Sequence, residues 1–220
     1  MPSLLDIIGP IIIGPSSSHT AGAARLGLAA RSILGFPVKK VRFRLHGSFA
    51  QTSVGHGTDR ALLGGVMGFR LDDDRLRLAY QYADTNRIEY SFTQDNLGDV
   101  HPNSVRIELD DGQSHTCVVT GASVGGGSIL IYEVDDFSLN ITCEYPTLVT
   151  FHQDIPGAVA AITAVLAQNN INIAFLRVYR QTFGGQAAMV AETDQSLEGK
   201  HFSILENLQF VHKARFIDRI

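Results

Sequence analysis

A run of hydroxyl and imidazole side chains stands near the start of the chain. The first turn of a helix has N–H groups without partners inside the helix, and the helix dipole gives that turn a partial positive charge. A helix that starts at this run would therefore suit a carboxylate or a phosphate. An ordinary helix cap is the alternative, but one serine or threonine is enough for a cap. The five side chains are those of Ser16, Ser17, Ser18, His19 and Thr20.

Two further histidines stand beside glycines. His46 comes just before a glycine and Ser48, and His56 has a glycine on each side. Glycine lets a ligand approach the backbone closely, and a histidine can bind or exchange a proton near neutral pH. A buried core residue is the alternative for His46, and a solvated turn is the alternative for His56. The histidines show no metal-ligand spacing, so the sequence predicts no metal site.

Weaker signals lie further along the chain. Asn103 follows a histidine and a proline, and Gly126 is the middle one of three glycines. The glycine run does not match a dinucleotide-binding motif, because a strand and not a helix follows it. It could equally be a simple hairpin turn. In the second half, Asp154 and Gly157 stand before a predicted helix and Asn170 stands after it, which ordinary turn chemistry also explains.

The first segment, residues 1–143, must position most of these groups. Apolar residues at three- and four-residue spacing predict helices, and alternating residues followed by turn signals predict strands. Helices that precede a run of strands favour an α+β domain with a mostly antiparallel sheet. An apolar stretch over 4–13 opens the segment. The predicted helices cover 20–34, 58–67 and 75–83, and the predicted strands cover 38–45, 88–93, 104–109, 116–122, 128–134 and 138–143.

The second segment, residues 147–220, follows a linker at 144–146. Its pattern reads strand, helix, strand, strand, helix, strand, which is the order of a ferredoxin-like fold. The predicted strands cover 148–151, 171–182, 186–192 and 211–217. One predicted helix begins after the turn at 154–157 and runs to 168, and the other covers 196–208.

The bulk composition excludes several function classes. The 220 residues carry a net charge of −4, with a pI near 6.0 and scattered basic residues, so no nucleic-acid partner is expected. No apolar run reaches the roughly 18 residues of a membrane span. The first residues lack the pattern of a signal peptide. We therefore expect a cytoplasmic protein without a membrane partner.

The cysteine count bears on iron–sulfur chemistry. The chain has two cysteines, Cys117 and Cys143, whereas a four-iron cluster generally needs three or four thiolates. Any such cluster would need ligands from another chain. Small buried residues within strands are the ordinary interpretation of both cysteines.

Taken together, these motifs resemble the β subunits of bacterial iron–sulfur L-serine dehydratases, over nearly the whole chain. The run at 14–20 is the most specific element, and the His-Gly pairs at 46 and 56, the His-Pro-Asn at 101 and the glycines at 125–127 agree with it. The first domain is also similar to the allosteric substrate-binding domain of some phosphoglycerate dehydrogenases. The C-terminal domain resembles an ACT domain, a module that often binds amino acids.

The resemblance implies an enzyme of amino-acid metabolism and gluconeogenesis that turns L-serine into pyruvate and ammonia. It implies a 4Fe–4S cluster on a separate α subunit, one iron of which lacks a cysteine ligand and polarises the hydroxyl of the substrate. Two histidines, His19 and His56, become candidates for binding or proton transfer, without a ranking between them. An amino-acid effector would bind near Asp154, Gly157 and Asn170, and a homodimer would form through the ACT domains. The candidates for holding the substrate are Ser16, Ser17, Ser18, Thr20, His46, Ser48, Asn103 and Gly126.

Two rival interpretations stay open. The chain could be a non-catalytic regulatory subunit that binds amino acids, or a detached regulatory region of a phosphoglycerate dehydrogenase. The first explains the second segment well and the run at 16–20 less well, unless that run binds an effector.

Overall fold

The computed structural model describes residues 16–197 and 199–220, without the side chains of residues 200 and 202. The apolar stretch at 4–13 and the first two residues of the run at 14–20 lie outside this range. The chain divides into two compact units, Met1–Asp136 and Phe137–Ile220. Within the part of the chain that the structure describes, no helix is long and apolar enough to cross a membrane.

The helices of the first unit begin at the run of serines. A π-helical turn over Ser17–Gly22 leads directly into α1, which ends at Leu34. The residue that follows, Gly35, caps the helix in the left-handed conformation with φ of 78°. Glycine adopts that conformation without strain. A 3₁₀ turn over Asp74–Leu78 precedes the last helix of the unit. The helices are α1 Ala23–Leu34, α2 Gly47–His56, α3 Thr58–Val66 and α4 Ala79–Thr85.

A six-stranded sheet has the order β2-β1-β3-β4-β5-β6. Strand β1 pairs in parallel with β2, whereas the pairs β1–β3, β3–β4 and β4–β5 are antiparallel. The predicted α+β class with a mostly antiparallel sheet is therefore confirmed. The strands are β1 Lys40–Leu45, β2 Glu89–Gln94, β3 Ser104–Asp110, β4 Thr116–Gly125, β5 Ser128–Val134 and β6 Phe137–Ile141.

Glycines let α1 and α3 approach each other backbone to backbone. A Cβ atom added at Gly27 would collide with the carbonyl oxygen of Leu62, and one added at Gly65 would collide with that of Ala24. Since the end of α1 also meets the end of α3 through a hydrogen bond from Arg31 to the Val66 carbonyl, the two helices run side by side in the same direction. Their amino-terminal ends therefore lie together.

The second unit has the predicted strand-helix-strand-strand-helix-strand order. Its four strands form a sheet in the order β10-β7-β9-β8 with antiparallel neighbours throughout, which confirms the ferredoxin-like prediction. Leu148, Ile162 and Met189 are among the residues of its apolar core. The elements are β7 Thr147–Gln153, α5 Ala158–Gln168, β8 Ile173–Arg180, β9 Gln186–Thr193, α6 Gly199–Glu206 and β10 Val211–Ile217.

Strand β8 forms one edge of this second sheet. Three of its apolar residues, Phe175, Leu176 and Val178, are each between 41% and 48% exposed. The edge therefore combines backbone groups that no strand of the sheet pairs with and an apolar surface.

Candidate functional site

The run of serines begins the helical segment that leads into α1. The Ser16 hydroxyl accepts a hydrogen bond from the His19 N–H at 3.1 Å, and the Ser16 carbonyl accepts one from the Thr20 N–H at 3.0 Å. Ser16 is therefore the helix cap, so for this one residue the ordinary interpretation as a cap is correct. Ser17 is exposed and Ser18 is half-buried, so both remain available at the first turn.

His19 is the centre of the site. Its Nε2 atom lies 3.0 Å from the Ser48 hydroxyl, and its ring lies 5.1 Å from the ring of His56. The His19 ring also packs edge to face with the ring of Phe49, and the two ring centroids are 5.5 Å apart. Because His19 comes from the π-helical turn and the other three residues come from α2, the contact of two elements forms the site.

Thr20 joins the same two elements through a second hydrogen bond. Its hydroxyl donates to the carbonyl oxygen of His56 at 3.1 Å, and the residue is buried. Gly57, which follows, is in the left-handed conformation with φ of 67° and separates α2 from α3. The threonine thus holds His56 at the point where the chain turns from one helix into the next.

Burial of the imidazole lowers the pKa of His19, and the nearby His56 lowers this pKa further by charge repulsion. Both effects disfavour the protonated form. His19 is therefore neutral at pH 7 and able to accept a proton. When its Nε2 atom is unprotonated, the Ser48 hydroxyl donates the hydrogen bond between them.

Two of the predicted site residues, His46 and Asn103, form their hydrogen bonds with residues other than the two histidines of the site. The Nδ1 atom of His46 accepts a hydrogen bond from the Leu97 N–H at 3.1 Å. The side-chain amide of Asn103 lies 3.5 Å from the Ser123 carbonyl, and the Ser123 N–H donates to the Asn103 carbonyl at 3.0 Å. These contacts stabilise the chain around the site, and none of them involves His19 or His56.

The glycine run at 125–127 is the turn of the β4–β5 hairpin, and Gly126 has φ of 61°. Arg25 on α1 donates a hydrogen bond to the Gly127 carbonyl at 2.7 Å. The turn is therefore attached to the helix that follows the run of serines.

One residue that packs against His19, Phe49, gave no signal in the sequence. Phe49 is the only buried residue of α2, and its role depends on a helix that the sequence pattern did not predict. The stripe of small residues that includes Gly27 and Gly65 is the one signal that could have shown how closely α1 and α3 approach.

The three predicted effector residues lie at two ends of one helix. Gly157 begins α5 and Asn170 follows its end, so about 16 Å of helix separates them. The Asp154 carboxylate accepts hydrogen bonds from the Gly184 N–H at 3.0 Å and from Arg180 at 3.1 Å. These contacts lower the pKa of Asp154, with the Gly184 bond as the larger cause. Asp154 therefore ties the start of α5 to the β8–β9 turn.

The residues of this chain do not fit a four-iron cluster. Cys117 and Cys143 are both buried, and two thiolates are fewer than a cluster generally needs. Over residues 16–197 and 199–220, no group of three or more His, Cys, Asp or Glu side chains could hold a metal ion.

Comparison with known proteins finds family matches in both units. Residues 3–90 match the family model for the serine dehydratase beta chain, and residues 147–210 match that of the ACT domain. The chain is 41% identical to a probable L-serine dehydratase beta chain of Bacillus subtilis, over 89% of each chain. It is 35% identical to the L-serine dehydratase beta chain of Peptoniphilus asaccharolyticus, over 98% of each. The chain belongs to the L-serine dehydratase β-chain family.

The relatives are named as chains of L-serine dehydratase, which is a lyase, and the ACT match falls in the second unit. A more distant match is D-3-phosphoglycerate dehydrogenase of Bacillus subtilis, at 26% identity over 89% of this chain and 37% of that protein. This match bears out the predicted similarity to the regulatory domains of such dehydrogenases.

Proposed function

We propose that this β chain forms the serine-binding half of an L-serine dehydratase that produces pyruvate and ammonia. The observation that carries the proposal is the placement of a neutral His19, between Ser48 and His56, at the first turn of a helix that serines precede. In this proposal, a site that can bind a carboxylate lies next to a histidine that can accept a proton. Removal of the α-proton of a bound amino acid requires both.

The substrate carboxylate would bind at the first turn of the helical segment. The hydroxyls of Ser17 and Ser18 and the first N–H groups of the segment supply donors, and the dipole favours the negative charge. Ser16 contributes indirectly, since its hydroxyl already caps the helix. Thr20 keeps His56 beside this turn.

We assign the proton transfer to His19 and a binding role to His56. The lowered pKa of His19 keeps this side chain neutral, and its hydrogen bond with Ser48 orients it, whereas His56 is exposed. Loss of the α-proton and of the β-hydroxyl as water gives an aminoacrylate, which tautomerises to an imine and hydrolyses to pyruvate and ammonia. His46, Asn103 and Gly126 would act by holding the segments around the site.

We assign the 4Fe–4S cluster to a separate α subunit, because the two cysteines of this chain are buried and too few. The test is reconstitution. We expect the purified β chain to be colourless and inactive on L-serine, and a mixture with the cysteine-bearing α chain to be brown and active. Iron–sulfur absorbance bound stoichiometrically to the β chain alone, or no serine turnover by the pair, would contradict the proposal.

We further propose domain limits of 1–143 and 147–220, a cytoplasmic location, and an amino-acid effector that binds to the ACT domain.

The effector would bind at the start of α5. This helix has no side-chain cap at Gly157, and the glycine has open space around it. A thermal-shift comparison of the common amino acids would identify an effector. A shift that disappears in Gly157→Val and persists in Asn170→Ala would place the effector at the start of α5.

The phosphoglycerate dehydrogenase match favours one second candidate, a regulatory chain that binds an amino acid without acting on it. This candidate predicts that an amino acid raises the melting temperature of the isolated chain while the reconstituted pair shows no turnover of L-serine. The high coverage of the two β-chain relatives leads us to favour the dehydratase.

A further inference from the structure

A pocket of about 430 Å³ lies in the first unit, at the carboxyl-terminal ends of α1 and α3. Arg31 in the last turn of α1 and Val66 at the end of α3 both line it. The histidine site lies at the opposite, amino-terminal ends of the same two helices, roughly 14 to 18 Å away along their axes. The pocket is therefore separate from that site, and its volume is typical of sites that bind small molecules.

Much of the pocket wall is apolar. Val38, Val66 and Phe69 are buried residues of this wall. The ring of Phe69 packs edge to face with the ring of Tyr82, and the two ring centroids are 5.4 Å apart. Such a wall favours a ligand with an apolar body, because burial of apolar surface is favourable. The apolar lining residues are Pro37, Val38, Val66, Met67, Phe69 and Ile88.

The described residues that line the pocket include three cations, Arg31, Lys39 and Arg75, and no carboxylate. The charge of Arg75 is balanced by Asp73, since its Nε atom lies 2.9 Å from each carboxylate oxygen. Arg31 donates one side-chain hydrogen bond, to the Val66 carbonyl at 3.2 Å. Lys39 has no ion-pair partner among the described residues, whereas the next residue, Lys40, pairs with Glu89. Two cations therefore remain for a ligand.

The dipoles of the two helices reduce this charge. Each helix carries about −0.5 of an elementary charge at its carboxyl-terminal end. The ends of α1 and α3 together therefore offset about one of the two cations. About one positive charge remains, which matches a single carboxylate better than a doubly charged phosphate.

We propose that this pocket binds a monocarboxylate with an apolar body, such as an aromatic organic acid. The carboxylate would accept hydrogen bonds from Arg31 and Lys39, and the body would pack against the apolar wall. A guanidinium has five N–H donors in a fork that fits a carboxylate, and Arg31 uses one of them within the described residues. This ligand site is distinct from the proposed serine site and from the proposed effector site on the ACT domain.

The test is an NMR titration of the full β chain with phenylacetate, which joins one carboxylate to an aromatic ring. We expect saturable binding with a Kd of about 1 mM or tighter, in keeping with so small a ligand. Phenylacetamide has nearly the same shape and no charge, so it should bind at least about 10-fold more weakly. Arg31→Gln and Lys39→Gln should each weaken the binding of phenylacetate by about 5- to 10-fold, because each removes one charged donor from a partly exposed site. Lys40→Gln, at the adjacent exposed lysine that does not line the pocket, is the matched control and should bind like the wild type.

Three results would overturn the inference. They are no saturable binding of phenylacetate, equal binding of phenylacetamide, and wild-type affinity in both Arg31→Gln and Lys39→Gln. If Arg31→Gln fails to fold, Lys39→Gln alone decides, because Lys39 is exposed and its replacement should leave the fold intact. The titration needs neither the α subunit nor serine turnover, so its outcome is independent of the proposed dehydratase function.

Discussion

At the scale of single residues, the site depends on His19 and on the groups that hold it. The histidine shares one hydrogen bond at its ring with Ser48, and its backbone N–H donates one to Ser16. Burial and the neighbouring His56 keep it neutral. Its protonation state and its orientation are thus set by different neighbours, which can be changed separately.

We expect His19→Ala and His56→Ala each to lower kcat/KM of the reconstituted enzyme by at least about 10², since a positioned base contributes about 10² to 10⁴ in rate. Neither ring belongs to an apolar core, so the melting temperature should change little. Steady-state serine deamination at matched cluster content, beside thermal melts, checks both. Near wild-type turnover would remove the residue from the site, and a collapsed melt would show a structural role.

The pH profile tests the electrostatics of the same pair. Because the pKa of His19 lies below its usual value of about 6.5, kcat/KM should be constant through neutral pH and fall only in more acidic buffer. His56→Gln removes a charge that lowers this pKa, so the acid limb of its residual activity should move to higher pH. His212→Gln, which lies in the second unit, should leave the limb in place. An unchanged limb in His56→Gln would show that the two rings are not coupled.

At the scale of elements, the contact of α1 with α3 sets the distance between the two histidines. Glycines at the crossing allow backbone contact, so no side chain acts as a spacer. The π-helical turn extends α1 toward α2, and Thr20 closes the gap by its bond to the end of α2.

Adding one methyl group at this crossing should damage the site from a distance. In Gly65→Ala the new Cβ meets the Ala24 carbonyl, so the helices must separate or the variant must unfold more easily. We expect a loss of about 1–3 kcal/mol in stability and a kcat/KM at least about 10-fold lower. Gly199→Ala, whose Cβ meets nothing within 4 Å, is the matched control. Equal activity and stability of both variants would show that the crossing does not position the site.

The sequence predicted most elements and missed those that depend on long-range contacts. Periodicity identified α1, α3 and all ten strands to within a few residues. Helix α2 was missed because its glycines, serines, threonine and valine are weak helix formers and only Phe49 is buried. The helix predicted at 75–83 is a 3₁₀ turn followed by α4. Phe49 could not be placed at the site, since only the fold brings its ring to that of His19.

At the scale of the whole molecule, the chain combines a unit that carries the candidate site with an ACT unit. The first unit presents His56 at its surface, where a second subunit can reach it. In the second unit, strand β8 forms one edge of the sheet and carries exposed apolar side chains. The proposed catalytic site and the expected pairing edge therefore lie in different units of the chain.

We expect the chain to form a homodimer through β8, because an apolar edge strand is a natural pairing surface. Val178→Lys puts a charge on this edge and should shift the chain to monomer at micromolar concentration, as light scattering would show. Leu78→Lys, at a similarly exposed apolar residue of the first unit, should remain dimeric. A monomeric wild-type chain would refute the expectation, and a dimeric Val178→Lys variant would move the interface away from β8.

The parallel pairing of β1 with β2 has a consequence for how the chain acquires its activity during folding. Lys40 pairs with Glu89, and the whole segment with His46, His56 and α3 lies between them. Neighbouring strands such as β3 and β4 can pair within a short hairpin, with Asp110 opposite Thr116. Closing the much longer β1–β2 loop costs more chain entropy and is slower. Refolding chains should therefore regain most of their strand content before they can bind serine.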